Sequence, residues 1–132
     1  HDGPTVAFPH AGATLILMTP RIVRTPLARE ELADVVRDGF GDMAKVVADI
    51  ERKVLALGGS LHADGEALLL DDGSRQEDLW GANVYPEQSP EQHIEFTSLI
   101  NIRPRQGNRG LEIEDGKTRA AVADVIRALL PL

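Results

Sequence analysis

The chain has 132 residues, of which 42% are hydrophobic and 27% charged, and it contains no cysteine. This composition is typical of one globular domain that buries its core without disulfides, and it leaves no thiolate chemistry open. We expect a cytoplasmic protein, because a cysteine-free chain suits a reducing compartment. The net charge of −7 argues against broad, non-specific binding to nucleic acid, which needs an excess of Lys and Arg.

The N-terminal residues 1–17 show no regular periodicity. The longest apolar run, AGATLILM at residues 11–18, is shorter than the roughly 18 residues of a membrane span, and no basic segment of a signal peptide precedes it. We expect Met18 to be the natural start, residues 1–17 to be a disordered or cloning-derived extension without function, and residues 18–132 to form one domain.

The first regular elements predicted are a short strand and a helix. Residues 21–24 (RIVR) are the strand candidate. Thr25 and Pro26 favour the start of a helix, because threonine accepts a hydrogen bond from the first turn and proline needs no donor there. The helix begins at Leu27 and is interrupted at Gly39, since glycine weakens a helix interior.

A second helix is predicted over residues 43–57, with Asp42 as its cap. Apolar residues recur there at i, i+3, i+4 and i+7, the spacing of one helix face. These residues are Met43, Val46, Val47, Ile50, Val54 and Leu57.

The period then changes from helical to strand-like. Residues 61–70, 79–85 and 94–103 read as three strands with short connections, which favours an antiparallel meander. Asp115 can cap a last helix that ends near Leu130. The predicted fold is α+β: an antiparallel meander sheet of three or four strands with two or three helices on one face.

Three ionisable side chains of the first predicted strand share one face of this sheet. Successive residues of a strand point to opposite faces, so His62, Asp64 and Glu66 face away from the helices. The same alternation adds Asn83, Tyr85, Glu95, Asn101 and Arg103 to this open face and turns Trp80, Ala82 and Val84 inward. With Leu68, Leu70 and Leu99 the face is mixed polar and apolar, which is typical of a binding cleft or a dimer interface.

One hypothesis for this face is a metal site. His62, Asp64 and Glu66 are ligand-type side chains, and with Glu95 they suit an octahedral Mg²⁺ or Mn²⁺ ion better than a tetrahedral zinc. Alternate strand residues lie roughly 7 Å apart, so neighbouring strands would have to contribute. Nothing in the sequence indicates an organic cofactor.

A second hypothesis is metal-free cleavage of a phosphodiester. Glu66 as base, His62 as acid and Arg103 as stabiliser of the developing charge supply the parts for cleavage of RNA through its 2′-hydroxyl, with Asp64 beside them. Opposing it are the net acidity and the tendency of charge clusters to be structural.

The loop RPRQGNRG at residues 103–110 is the clearest candidate for binding an anion. Guanidinium groups bind carboxylates and phosphates in two-point contacts, and the glycines leave backbone amides accessible. The candidate ligand-binding residues are Asn101, Arg105, Asn108, Arg109 and Glu95. Alternatively, the arginines fasten the loop to the acidic residues that follow it, Glu112, Glu114 and Asp115.

Three stretches, GGSLHADGEA, DGSRQEDLWG and INIRPRQGNR, resemble a family of small bacterial proteins of unknown function that is common in cyanobacteria. The resemblance runs from about Met18 to the end of the chain and supports Met18 as the start. It brings no catalytic residues with it. One departure is Gly110, where the family pattern has a serine after GNR.

The sequence therefore predicts binding of a small anionic ligand, a phosphate or carboxylate, or of RNA, on the open sheet face. Phosphodiester hydrolysis is compatible with the same residues. The alternative is a non-catalytic homodimeric module joined through the exposed leucines, with no membrane partner in either case.

Overall fold

The computed structural model describes residues 19–132, so the expectations for residues 1–17 and for Met18 lie outside the described residues. The strands are β1 (Arg21–Val23), β2 (Ala44–Asp49), β3 (Val54–Leu57), β4 (Leu79–Val84) and β5 (Ile94–Glu95). They form an antiparallel sheet in the order β1-β3-β2-β4-β5. The helices are α1 (Arg29–Asp38), α2 (His62–Asp71) and α3 (Gly116–Leu129). The predicted α+β class with an antiparallel sheet is confirmed.

The predicted helix over residues 43–57 is wrong, since this segment is the hairpin of β2 and β3. Both strands are buried on both faces, and such strands carry continuous apolar runs that also satisfy a helical template. The turn between them forms because the Asp49 carboxylate accepts the amide hydrogens of Glu51 and Arg52, at 2.9 and 2.8 Å. Lys53 completes the turn with a φ of 58°.

The predicted strand over residues 61–70 is also wrong, because this segment is α2. Gly58 and Gly59, with φ of 94° and 87°, turn the chain from β3 into the helix. Gly65 lets the helix approach the sheet closely: a Cβ there would lie 3.1 Å from Val47 Cγ2 and 3.2 Å from Ala56 Cβ. The alternation of small and charged residues at 62–67 therefore does not indicate a strand, since these residues lie in a helix.

The helices lie on both faces of the sheet, and the prediction of helices on one face only is wrong. On one face, α1 and α3 cover the main core, a cluster that contains Leu32 and Val36 of α1, Val122 and Ile126 of α3, and Trp80 of the sheet. On the other face α2 packs through Leu69 in a second cluster with Val47, Val54, Ala56 and Leu79. Trp80, Ala82 and Val84 do point into the main core, as the alternation of β4 predicted. The sheet has five strands in the described chain, not three or four, and it is not a simple meander.

The predicted third strand is shorter than expected. After β5 the chain forms what we call the 96–112 loop, which contains the short helical turns Leu99–Asn101 and Pro104–Gln106. The Asn101 side chain takes the place of a strand partner for β4. It accepts a hydrogen bond from Gly81 N at 2.8 Å and donates one to Gly81 O at 3.0 Å. Gly81 is required because a Cβ there would lie 2.5 Å from Ser98 Cβ.

The last helix begins as predicted. The Asp115 side chain accepts from Thr118 N at 2.9 Å at the start of α3. In the part of the chain that the structure describes, no helix is both long and apolar enough to cross a membrane.

Candidate functional site

The three predicted site residues of α2, His62, Asp64 and Glu66, do not share a face. Residues two apart in a helix point about 200° apart, so Asp64 lies opposite His62 and Glu66. Asp64 lines a shallow hollow with Pro20 and Ser60, whereas His62 is buried against the sheet. Within residues 19–132 no group of three His, Asp or Glu side chains is placed to hold a metal ion, so the predicted Mg²⁺ or Mn²⁺ site on these residues is not formed.

Arg103 donates mainly to the backbone. Its guanidinium donates from Nε to Ile100 O at 2.9 Å, from Nη1 to Gln76 O at 2.7 Å and from Nη2 to Leu79 O. The group also stacks 4.3 Å from the centroid of the Trp80 ring. These contacts hold the 96–112 loop against the start of β4 and leave little of the guanidinium for a substrate.

Glu66 lies near Arg103 without pairing with it. Burial lowers the pKa of Arg103, and the charge of Glu66 opposes that shift. Glu66 Oε2 is buried and has no hydrogen-bond partner among the described residues. Glu66 lies one turn after His62 on the same side of α2. The predicted catalytic roles of Glu66 and Arg103 stay predictions.

Asn101 and Asn108 hold the loop from within. Asn108 Nδ2 donates to Asn101 O at 2.8 Å and to Glu112 O at 2.9 Å, and its Oδ1 accepts from Glu114 N at 2.8 Å. Asn101 Nδ2 donates also to Leu111 O at 3.1 Å. Both side chains are buried, so their polar atoms are used for the fold.

The other candidate residues of the loop are exposed. Neither Arg105 nor Arg109 makes an ion pair within the described chain, so the expected fastening of the loop to acidic neighbours is not formed. Glu95 lies on β5, where its carboxylate accepts from Asn83 Nδ2 at 2.8 Å and from the Tyr85 hydroxyl at 3.2 Å. The loop arginines and Glu95 are therefore separate features.

A cleft of about 410 Å³ lies between the first turn of α2 and the 96–112 loop. We call it the His62 cleft; it is lined by Lys45, Leu61, His62, Ala63, Asn83, Thr97, Ser98, Leu99, Ile100 and Leu111. Its volume is that of a small-molecule site. Five of its ten lining residues are apolar, and the other five, which include Lys45, His62 and Asn83, supply the polar groups that a ligand would meet.

Two of these polar groups, Lys45 and Asn83, belong to a row across three strands that continues to Glu95, outside the lining of the cleft. Lys45 on β2 lies directly opposite Asn83 on β4, and Asn83 lies directly opposite Glu95 on β5. Directly opposed residues of an antiparallel pair share a face and have Cβ atoms about 5 Å apart. The face is the one that carries α2, which places His62 above the row.

His62 has a defined tautomer. Its Nε2 lies 2.8 Å from Ala82 O, and because a carbonyl only accepts, Nε2 carries the proton and Nδ1 remains an acceptor. Burial lowers the pKa of His62 below its usual 6.5, and the charge of Lys45 adds to this shift. Hydrogen bonds with Ala82 O and the Asn83 side chain, together with the charge of Glu95, oppose it. The net effect favours the neutral imidazole.

Asn83 is buried with one acceptor unused. Its Nδ2 donates to Glu95, while its Oδ1 is buried and has no donor in the described part of the chain. A buried carbonyl left without a donor costs about 1–3 kcal/mol. This atom is one of three such side-chain atoms described, and the only one of them in the wall of the His62 cleft.

Lys45 is a half-buried cation in the same wall. Its Nζ lies 5.4 Å from the centroid of the Phe40 ring, and no carboxylate of residues 19–132 lies within 4 Å of it. The sequence reading missed Lys45 because residues 43–57 were read as a helix. The available signal was a single lysine inside the apolar run MAKVVA at residues 43–48.

The fold and the cleft define the class: an α+β domain with an open antiparallel sheet and a small-molecule-sized cleft at the start of α2. Residues 21–129 match the model of a family described as "Protein of unknown function (DUF5674)", and the chain belongs to that family. This confirms the resemblance to a family of unknown function. No curated protein and no solved structure matches the chain.

Proposed function

We propose that the domain binds a small anionic ligand, a carboxylate or phosphate with an apolar body, in the His62 cleft. The observation that carries this proposal is Lys45, a half-buried cation in an apolar cleft with no carboxylate of the described chain within 4 Å. A charge in such surroundings lacks part of its hydration, and an anion restores the lost interaction.

Two further features support an anion. The helix α2 begins at His62, so the positive end of its dipole lies at the cleft. The neutral form of His62 adds no charge, so Lys45 is the cation among the residues that line the cleft. The apolar residues Leu61, Leu99 and Leu111 can cover the body of the ligand.

Isothermal titration with three probes of similar size tests the proposal: benzoate, phenyl phosphate and the neutral benzyl alcohol. We expect at least one anion to bind about tenfold more tightly than benzyl alcohol, because a charge-assisted hydrogen bond contributes about 1.5–3 kcal/mol. Lys45→Met should remove this preference and leave benzyl alcohol binding unchanged.

The matched control is Lys117→Met, which makes the same charge change at an exposed position on α3. It should leave the anion preference intact, since a solvent-exposed charge away from the ligand is screened. Equal binding of the three probes, or equal effects of the two variants, contradicts an anion site at Lys45.

The second candidate function is a homodimeric interaction module. The observation that favours it is the exposure of leucines at the mouth of the cleft, of which Leu99 is 77% exposed and Leu61 59%. Light scattering after size exclusion should then give twice the chain mass, and Leu99→Ser should return it to the monomer. A monomeric native chain that binds benzoate excludes this candidate.

RNA binding and phosphodiester hydrolysis receive less support, because Arg103 uses its guanidinium on backbone carbonyls. The cytoplasmic location, which rests on the cysteine-free sequence, stays a prediction.

A further inference from the structure

We infer that an anion in the His62 cleft binds together with a proton, and that His62 takes up this proton. The inference rests on the proposed function, since it names how that site is regulated. The occupied cleft then holds two cations around one anion, the ammonium group of Lys45 and the imidazolium group of His62. Acidic solution strengthens the binding of the anion, and alkaline solution weakens it.

The first step is that an anion beside Lys45 also lies close to the imidazole. His62 and Lys45 line the same cleft. His62 Nε2 lies 2.8 Å from Ala82 O. The next residue of β4, Asn83, is directly opposite Lys45 on β2. The cleft, at about 410 Å³, is near the small end of the roughly 300–1,000 Å³ range of ligand sites, so its occupant contacts both side chains.

The second step is that the empty cleft favours the neutral ring. His62 is 9% exposed, and burial disfavours a charged imidazole. The charge of Lys45 repels a second positive charge, and both effects lower the pKa of His62. An anion cancels the repulsion by Lys45 and attracts the charged ring. The pKa of His62 therefore rises when the site fills.

The third step is that the charged ring has acceptors for both of its protons. Nε2 of His62 donates to Ala82 O. The Asn83 side chain is a second hydrogen-bonding neighbour of the ring. Asn83 Nδ2 donates to Glu95 Oε1 at 2.8 Å, while Asn83 Oδ1 is buried and has no donor among the described residues. The neutral ring has no proton on Nδ1 to give to this oxygen, whereas the imidazolium has one.

The charged groups packed around His62 come from three elements. Lys45 is on β2, Glu95 on β5 raises the pKa of His62 by its charge, and Glu66 lies one turn further along α2. The 96–112 loop lines the cleft with residues that carry no charge: Thr97, Ser98, Leu99, Ile100 and Leu111. A bound anion therefore adds a negative charge where these loop residues supply none.

The sign of the pH dependence follows from the two states of the site. The filled site holds a proton on His62 more strongly than the empty site does. Between the two pKa values of His62, binding therefore takes up protons, and the affinity for the anion rises as the pH falls.

Isothermal titration of the native chain with benzoate at pH 6 and at pH 8 tests this coupling. Carboxyl groups titrate near pH 4, so the probe keeps its charge at both pH values. We expect benzoate to bind about three- to tenfold more tightly at pH 6, because the nearby anion favours the charged ring. The chain should also consume acid when benzoate is added at a constant pH of 7.

Two histidine variants locate the proton. His62→Gln should make the benzoate affinity equal at pH 6 and pH 8, because glutamine can donate to Ala82 O but does not titrate. The matched control is His93→Gln, at a histidine that is also 9% exposed but lies outside the lining of the cleft. This control should keep the pH dependence.

The outcomes separate this inference from the proposed function. If benzoate binds at neither pH, the anion site itself is wrong. If it binds equally at both, the anion site stands and the coupling is overturned. A pH dependence that survives His62→Gln also overturns the inference, because another group then takes up the proton. Should His62→Gln not fold, an NMR pH titration of the His62 ring protons decides: benzoate should raise the pKa of His62, and an unchanged pKa overturns the inference.

Discussion

At the residue scale, two side chains that the sequence offered as site candidates, Asn101 and Arg103, form hydrogen bonds with backbone groups of the fold. The Asn101 side chain forms two hydrogen bonds with the backbone of Gly81, as a neighbouring strand would. Arg103 donates to the carbonyl of Ile100 in its own loop and to those of Gln76 and Leu79 at the start of β4. Arginine and asparagine suit this role because they present several donors or a donor–acceptor pair in a fixed plane. Sequence reasoning recognised the residue types but not which partners the fold would give them.

The structural role of Arg103 is testable with its neighbour Arg105 as a matched control. Arg103→Lys keeps the charge but loses the planar group that bonds to Ile100 O and Gln76 O and stacks on Trp80. We expect a loss of about 1–3 kcal/mol in the free energy of unfolding, measured by urea denaturation. Arg105→Lys, at an exposed position, should change it by less than about 0.5 kcal/mol.

Equal losses in the two variants would contradict this structural role. An unchanged stability of Arg103→Lys would also contradict it, because the partly buried carbonyls of Ile100 and Leu79 would then lose their guanidinium donors without any cost to the free energy of unfolding.

At the element scale, the sequence reading interchanged a helix and a strand. The hairpin of β2 and β3 was read as a helix and α2 as a strand. The cause is physical: a strand buried on both faces loses the alternation that identifies strands, and a short helix with Ala63, Gly65 and Ala67 shows an alternation by chance. The helices α1 and α3, which each have one solvent-exposed face, lie where the sequence predicted them.

One charged network joins three elements at the end of α2. Asp72 accepts from Arg24, just after β1, at 2.7 Å and from Arg52, in the β2–β3 turn, at 2.6 Å. Arg52 also donates to the Ser74 hydroxyl at 2.7 Å, and this hydroxyl donates to the buried Asp49 at 2.6 Å. The network fixes the end of the sheet away from the His62 cleft.

The pH dependence of stability tests this network. Hydrogen bonds from Arg24 and Arg52 lower the pKa of Asp72 from 3.8 to about 2. Since the folded value is the lower one, the stabilisation is fully present above pH 3.8 and is lost as the pH falls towards 2. Asp72→Asn should lower the melting temperature at pH 7, and the gap to the native chain should close below pH 4.

The control for this pH test is Asp71→Asn, the exposed neighbour, which makes no ion pair within residues 19–132. It should leave the melting temperature unchanged at pH 7. A gap for Asp72→Asn that stays constant from pH 7 to pH 2 would contradict the network's contribution.

At the scale of the whole molecule, composition and element count predicted the α+β class, but not how the layers are arranged. Helices cover both faces, so the open face proposed from the sequence is closed by α2. A gap stays open where the first turn of α2 meets the 96–112 loop. Polar groups lie at both ends of β2. The network of Asp72 is at one end of this strand, and Lys45 is near the other end, at the His62 cleft.

The net charge of −7 bears on how this domain could attract an anion. An acidic chain repels anions at long range, so an anion site has to depend on a local cation in a cleft of low polarity. The His62 cleft has that cation beside the apolar side chains of Leu61, Leu99 and Leu111.

The anion site at Lys45 is tested most directly by an NMR titration of the native chain with benzoate and phenyl phosphate. We expect the backbone amide signals of the cleft residues to shift together and Lys45→Met to suppress these shifts. The residues to follow are Leu61, His62, Asn83 and Leu99. Shifts confined to the exposed arginines Arg105 and Arg109, or shifts that Lys45→Met leaves unchanged, would contradict it.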